Sequence, residues 1–290
     1  KRKLPSILTD RHALSVLIYM YLLFRHPLKG GKMHDTDAQK DDELAMGSNA
    51  LFIEHQSDKS NKPNLNDIHP AELPYIDIQK MPYTIMGPYL KKLFERAFID
   101  GLHKPQQRPT SDEWEAALVK TVDLLQPCKN TKCSHKWFVF DNKLSPKCPY
   151  CKTPYVATLP ILNFYSTRSE GKYLSDNARL MVYNNQYLYK WHTNRLIHPN
   201  ERLSDLDKKP VGYFVKHQGN WILVNQNLPD LKDVKNNKKI AIEYRNAVKN
   251  LTDVLEKELL NDIGFKINSD GQYVPNGKDS LSKLTAIVRS

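Results

Sequence analysis

The four cysteines of this chain fall in two close pairs, Cys128-Lys-Asn-Thr-Lys-Cys133 and Cys148-Pro-Tyr-Cys151, separated by 14 residues. No other feature restricts the fold so strongly. Each pair suits a tight turn, and the stretch between them is long enough for a hairpin that brings four thiolates to tetrahedral corners about 2.3 Å from one zinc ion. Catalytic zinc keeps a coordination position open for water, whereas four cysteine ligands leave none, so the spacing predicts a structural site. A redox pair at Cys148 and Cys151 would leave Cys128 and Cys133 without a role, and it lacks the surrounding βαβ pattern.

Between the pairs, His135-Lys-Trp-Phe-Val-Phe140 and Asn142-Lys143 read as a strand and turn of a zinc ribbon. His135 could replace one cysteine as a ligand, but it is read as a bystander on that strand. Clustered cysteines used in this way fit a reducing compartment. Lys1-Arg2-Lys3 is followed by Pro5, Ser6, Thr9 and Asp10, which does not resemble a cleavable signal. The longest apolar run, Ala13 to Phe24, is well short of the roughly 20 residues a membrane span requires. A cytoplasmic protein without a membrane partner is therefore expected.

Charge is divided unevenly along the chain. Residues 1–127 carry 17 Lys and Arg against 17 Asp and Glu, while residues 128–290 carry 26 against 15 and so hold the whole net charge of +11. An acidic partner, if there is one, should meet the C-terminal part.

The N-terminal part reads as helical. Asp10 is expected to cap a helix whose sequence, from Ala13 onward, is apolar around nearly its whole circumference, which predicts a helix in the middle of a core. Residues 29–80 are polar and read as a long, partly ordered insertion with a short helix near Asp41–Ser48 and core contacts by Leu51, Phe52 and Ile53. Leu90, Leu93, Phe94, Ala97 and Phe98 recur at helical spacing from about Pro88 to Phe98. Thr110-Ser111-Asp112-Glu113 has the form of a capping box, and Trp114, Ala117, Leu118, Val122 and Leu125 make the buried stripe of the helix it opens, which Pro127 should stop.

Beyond Cys151 the pattern becomes β-like. Arg179–Tyr183, Gln186–Tyr189, Val211–Val215 and Trp221–Val224 are short, aromatic and β-branched, and Asn-Asn and Gln-Gly-Asn turns separate them. A helix over Ile240–Leu260 and a last strand over Leu281–Val288 are also expected. Within this part Lys190, His192, Asn194, Arg195, Arg202, Lys208 and Lys209 interleave with Tyr187, Tyr189 and Trp191. Such a mixture suits a phospho-ligand or nucleic-acid surface, and it equally suits an ordinary solvated face whose aromatics fill a core. His192 and His198 by themselves carry no ligand signal.

Three segments of the helical part resemble, in the right order, the end of a Ser/Thr protein kinase C-lobe. Thr9-Asp10-Arg-His-Ala-Leu-Ser-Val-Leu-Ile-Tyr-Met-Tyr-Leu-Leu is similar to the buried central helix of that lobe, Gly87-Pro-Tyr-Leu-Lys-Lys-Leu-Phe-Glu-Arg-Ala-Phe98 to its penultimate helix, and Arg108-Pro109-Thr110 to the lead-in of its last. The resemblance covers roughly residues 4–126. It implies that Asp10 and Arg108 brace the lobe, Asp10 by holding the catalytic-loop backbone and Arg108 by pairing with an activation-segment glutamate, although no glutamate precedes Pro5. The order of kinase-like lobe, zinc ribbon and β-rich tail resembles bacterial kinase-like proteins of tellurite-resistance-type stress systems. That likeness implies a PP2C-type phosphatase and a von Willebrand A-type protein as partners.

Phosphoryl transfer needs a glycine-rich loop, a phosphate-binding lysine, an aspartate base and a metal-binding Asp-Phe-Gly, and none occurs in these 290 residues. Asp10-Arg11-His12 opens an apolar helix, and Asp262-Ile-Gly264 has no kinase context. ATP and magnesium would enter only with an upstream kinase portion, and no residue here is assigned a catalytic role. The expected fold is α+β and multidomain. It consists of a kinase C-lobe-like helical module (1–127, with the 29–80 insertion), a four-cysteine zinc ribbon (128–156) and a β-rich, sandwich-like interaction domain (157–290). The expected function is a structural and partner-binding scaffold in a signalling protein; a zinc-ribbon nucleic-acid-binding protein is the alternative.

Overall fold

The computed structural model describes residues 6–32, 37–141, 146–155, 160–169, 172–233, 238–239, 265–267, 273–275 and 284–289. The chain divides into two compact units. One contains residues 1–122, 130–141 and 147–153, and the other residues 123–129, 142–146 and 154–290.

The first unit is built on helices α1 (Ile7–Leu23), α2 (Ala38–Met46), α3 (Gly87–Glu95) and α4 (Ser111–Val122). Their core is aromatic. Tyr19 of α1 meets Phe52, Phe94 and Phe98 edge to face with ring centroids 5.8, 5.2 and 5.6 Å away, and Trp114 of α4 packs 5.2 Å from Phe94. The ring quadrupole favours such T-shaped contacts over face-to-face sandwiches. A single π turn, Arg96–Asp100, extends α3, and Ala97 and Phe98 are both buried within it. Trp114 Nε1 donates to Ser15 Oγ at 3.2 Å, which satisfies the one polar atom of a side chain otherwise sealed in the core.

The structure corrects three expectations for this unit. Asp10 does not cap α1; the helix begins three residues earlier, with Ser6 O accepting from the N–H groups of Thr9 and Asp10, and Asp10 is exposed in the first turn. There its charge still favours the positive end of the helix dipole. Nor is α1 surrounded by core. Ser15, Tyr19 and Leu23 are buried along one line, whereas Leu17, Met20 and Tyr21 are 51%, 40% and 78% exposed, because the described residues that pack on α1 do so on the Tyr19 side.

Within the stretch 29–80, Phe52 and Ile53 are buried in the core as expected, together with Ala50, whereas Leu51 is only half-buried. Buried Asn61 ties the stretch back by donating to the carbonyls of Leu28 and Leu51, while its Oδ1 accepts from Lys32 N. Pro127, finally, does not stop α4, which ends at Val122. It is the last residue of a short strand, β1 (Leu125–Pro127).

After the first cysteine pair comes β2 (Trp137–Val139), whose Val139 packs on α3 at Gly87. Gly87 has φ +84°, and a Cβ there would come within 2.4 Å of Val139 Cγ1, so glycine is required on both conformational and steric grounds.

In the second unit, β3 (Ile161–Ser169) and β4 (Lys172–Met181) form an antiparallel pair with two register shifts. Strands β5 (Tyr187–Tyr189), β6 (Pro210–His217) and β7 (Asn220–Asn225) form an antiparallel meander, with the short helix α5 (Lys190–Thr193) directly after β5. The β6–β7 turn has Gln218 and Gly219 at positive φ, as two-residue hairpins prefer. Asn185, at φ 69°, turns the chain into β5. Leu162, Phe164, Leu180, Val182, Leu188, Phe214 and Leu223 from both sheets make one buried cluster.

The remaining strands are β8 (Lys232–Asp233), β9 (Lys238–Lys239), β10 (Phe265–Ile267), β11 (Tyr273–Pro275) and β12 (Leu284–Arg289). β12 lies parallel to β3, with Leu284 opposite Ile161 and Arg289 opposite Ser166, so a terminal strand does form near the expected position. The helix expected over Ile240–Leu260, the Asn142-Lys143 turn and Asp262-Ile-Gly264 lie outside the described residues.

Candidate metal centre and ligand surface

Two small turns present the cysteines. In the first, Asn130 Oδ1 accepts from Lys132 N at 3.0 Å and Asn130 O accepts from Cys133 N at 3.0 Å, so the asparagine builds the turn that aims Cys133. In the second, Cys148 N donates to Thr153 O and Cys148 O accepts from Lys152 N, both at 2.9 Å. Lys136 and Lys152 take the left-handed conformation (φ 54° and 62°) where the chain leaves each turn. Cys133 and Cys148 are buried, and Cys128 and Cys151 are half-buried.

The four Sγ atoms all lie within 4.8 Å of one another. Cys133 Sγ and Cys148 Sγ are 3.8 Å apart, far too distant for a disulfide, and none of the four cysteines forms one. A tetrahedron of sulfurs about 2.3 Å from a central ion has edges of about 3.8 Å, so the cluster has the dimensions of a metal site before any ion is added. Thr153 Oγ1 shares a 3.2 Å hydrogen bond with Cys151 Sγ, a contact that fixes the direction in which this sulfur points. His135 stands aside: its ring stacks on Tyr150 at 3.7 Å and its Nδ1 lies 3.1 Å from Ser134 Oγ. Burial, and then the charges of Cys148 and Cys133, push the Tyr150 phenol up.

Of the residues predicted for a ligand surface, folding withdraws His192. His192 is only 2% exposed and so does not belong to a surface. Its Nδ1 accepts from Tyr189 N at 3.1 Å, its Nε2 lies 3.1 Å from Asp123 Oδ1, and its ring stacks on Phe164. This pattern requires the tautomer protonated at Nε2 and makes the histidine a structural pin. Asn194 follows α5, and its Oδ1 accepts from Leu196 N. Lys190 pairs with Asp207 at 2.7 Å, whereas Arg202 is exposed and only loosely paired with Glu201 at 3.9 Å. Arg195 is half-exposed on the segment between them.

Arg108 is held by three backbone carbonyls. It donates from Nη1 to Leu8 O (2.8 Å), from Nε to Gly101 O (3.0 Å) and from Nη2 to Leu102 O (2.9 Å), and burial lowers its pKa. Beside it is a cavity of about 800 Å³ lined by Arg11, Arg96, Asp100, Lys104 and Glu113 among others, which no sequence motif signals. Nor does the sequence signal the buried trio of Tyr19, Arg25 and Glu54, because Glu54 lies 29 residues beyond Arg25 and both charged side chains resemble ordinary surface residues.

Fold and site together define a class: a protein of mixed helices and small sheets in which four cysteines are positioned to hold one metal ion. Among the described residues no helix is long and apolar enough to cross a membrane. Comparison with protein-family models, with curated proteins and with solved structures finds no match.

Proposed function

We propose that this chain is a zinc-ordered, non-catalytic scaffold and partner-binding part of a bacterial Ser/Thr kinase-like signalling protein. Thiolates are the preferred donors of zinc, and a closed set of four suits a structural ion that supplies folding energy. No described carboxylate or histidine joins the cluster, so the ion would have no position for substrate.

One observation carries the kinase-like part of this reading. The three segments that resemble a kinase C-lobe meet in a single core, where Arg108 reaches back 100 residues to Leu8 O in the first turn of α1 and Trp114 bonds Ser15. Arg108 does so through backbone carbonyls rather than through the activation-segment glutamate that the resemblance implies, so its support for the reading lies in joining the lead-in of α4 to α1. With the Asp-Phe-Gly and glycine-rich loop missing from the sequence, what remains for this chain is positioning and partner contact.

The test uses the purified, zinc-loaded chain. It should neither transfer the γ-phosphoryl of ATP nor bind ATP with magnesium, and it should form a complex with a PP2C-type phosphatase or a von Willebrand A-type protein encoded in the same genome. Phosphoryl transfer by the chain itself, or failure to bind either partner, would overturn the proposal.

A further inference from the structure

The meander β5–β6–β7 buries one face and leaves the other to aromatic side chains. Leu188, Phe214 and Leu223 point into the core, so Tyr187 and Tyr189 of β5 and Tyr213 of β6 stand on the opposite face. Tyr187 is the direct cross-strand partner of Tyr213, with ring centroids 6.5 Å apart, and lies 6.2 Å from Tyr189. Tyr189 in turn stacks on Trp191 of α5 at 4.4 Å with the planes only 7° apart. Four rings therefore run continuously from the middle of the sheet to α5, and Tyr187 in their midst is 47% exposed.

The chain that carries this strip is also rich in cations. Between residues 187 and 217 there are six Lys and Arg against three Asp and Glu. Lys208 and Lys209 are exposed and immediately precede Pro210, the cross-strand partner of Tyr189, which places them at the Trp191 end of the strip. Arg195 and Arg202 lie on the same connection between α5 and β6.

We infer that this face binds single-stranded nucleic acid, with bases stacking on Tyr187 and its neighbouring rings and phosphates meeting Lys208, Lys209, Arg195 and Arg202. Every base has a π-face, so an exposed aromatic strip takes a strand without reading its sequence, while flanking cations neutralise the backbone. Charge favours this occupant over an apolar or acidic-surfaced protein face: the excess of positive charge in the chain lies entirely in residues 128–290, and a nucleic acid is a dense polyanion that also offers rings. The ribbon itself is not needed for the contact, and the inference does not depend on the kinase resemblance.

The experiment is an anisotropy titration of the full, zinc-loaded chain against a labelled oligothymidylate of about 12 nucleotides, with a duplex of the same length for comparison. Binding to the single strand should be tighter than to the duplex. Tyr187→Ala should weaken it roughly tenfold and Tyr187→Phe should restore it, because a phenyl ring stacks as a phenol does. The Lys208→Ala/Lys209→Ala variant should lower the slope of log K against log salt by about 1.4, the value for two phosphate contacts on a single strand. Equal melting temperatures would show that the exposed substitutions leave the fold intact. No binding at low salt overturns the inference. So does a Tyr187→Ala variant that binds like the parent, which would mean electrostatic adsorption only, and so does a duplex bound as tightly as the single strand. Loss of a protein partner in Tyr187→Ala without any oligonucleotide binding would assign the face to that protein and likewise overturn it.

Discussion

Arg25 and Glu54, 29 residues apart in the chain, form an ion pair at 2.5 Å with side chains only 1% and 4% exposed. The chain reaches this geometry because α1 ends with Phe24 in the left-handed conformation, after which Arg25 turns inward and donates to Tyr75 O, Met81 O and Tyr19 Oη. Glu54 accepts from Tyr19 Oη as well and takes the Tyr83 N–H at 2.9 Å. Burial, and then the charge of Glu54, raise the Tyr19 pKa well above its ordinary value, so the phenol remains a donor throughout the working pH range. A buried pair is expensive to assemble, but removing one member leaves the other as an uncompensated charge. Glu54→Gln should therefore destabilise the first unit by about 3–5 kcal/mol in chemical denaturation. The Arg25→Met/Glu54→Gln double variant should lose less than the two single variants combined, since it strands no charge. Additive losses would mean that the two residues do not act as a pair.

The sulfur cluster makes a stoichiometric prediction. Elemental analysis should find about one zinc per chain, and Cys148→Ser, at a buried corner, should release it and lower the thermal midpoint. Chelation of the parent should reproduce the effect, because binding energy at a structural site is folding energy. A metal-free protein that melts where the zinc-loaded one does would refute the site.

Thr110 and Glu113 cap α4 reciprocally: Thr110 N donates to Glu113 Oε2 at 2.8 Å and Glu113 N donates to Thr110 Oγ1 at 3.3 Å. Arg96 also pairs with the Glu113 carboxylate. These bonds, that of Arg96 first, hold Glu113 at a pKa of about 2 against an ordinary 4.5. A carboxylate lowered in the folded state stabilises fully above its unfolded pKa, and that contribution fades as pH falls from 4.5 toward 2. Both ends of the Arg96–Glu113 pair are partly solvated, so Glu113→Gln should cost only about 1 kcal/mol at neutral pH, read as a shift in denaturant midpoint, and should flatten the acid limb of the stability profile.

His12 and His26 act in a different pH window. Burial lowers both to about 4, assisted at His12 by the charge of Arg108 and at His26 by those of Lys29 and His12. They are neutral when folded but take up protons near pH 6.5 when unfolded, so their contribution is complete above 6.5 and declines as pH falls toward 4. His26 Nδ1 also accepts from Leu28 N at 3.1 Å, a bond that protonation removes. The denaturant midpoint should fall across this window, and His26→Gln should reduce the slope. An unchanged slope would exclude the residue as its source.

Core packing yields an effect of similar size. Phe52 is wholly buried and stacks on Phe98 at 5.3 Å while meeting Tyr19 and Tyr83 edge to face. Phe52→Ala should cost about 3–5 kcal/mol in equilibrium unfolding. A loss below about 1 kcal/mol would place residue 52 outside the core.

Local chemistry is legible in the sequence where neighbours in the chain are also neighbours in space. The cysteine pairs, the Thr110–Glu113 box, the Gln-Gly turn before β7 and the apolar periodicity of α3 all work within a few residues, so spacing alone identifies them. The strand β3 does not announce itself, because Asn163, Ser166 and Thr167 interrupt its apolar pattern and its conformation depends on pairing with β4 and β12. His192 reads as part of a surface because an imidazole beside cations looks solvated until Asp123, 69 residues earlier in the chain, arrives to accept from it.

The cysteine spacing by itself determined that one metal-sized cluster would form, since four thiols on two short turns have few other arrangements open to them. Only the tertiary structure decided that α1 keeps an exposed apolar flank, that Arg25 and Glu54 are buried together, and that three tyrosines of one sheet face run on to Trp191 of α5. Those outcomes depend on contacts between distant segments, and burial there is set by which surfaces meet rather than by the hydrophobicity of any one of them.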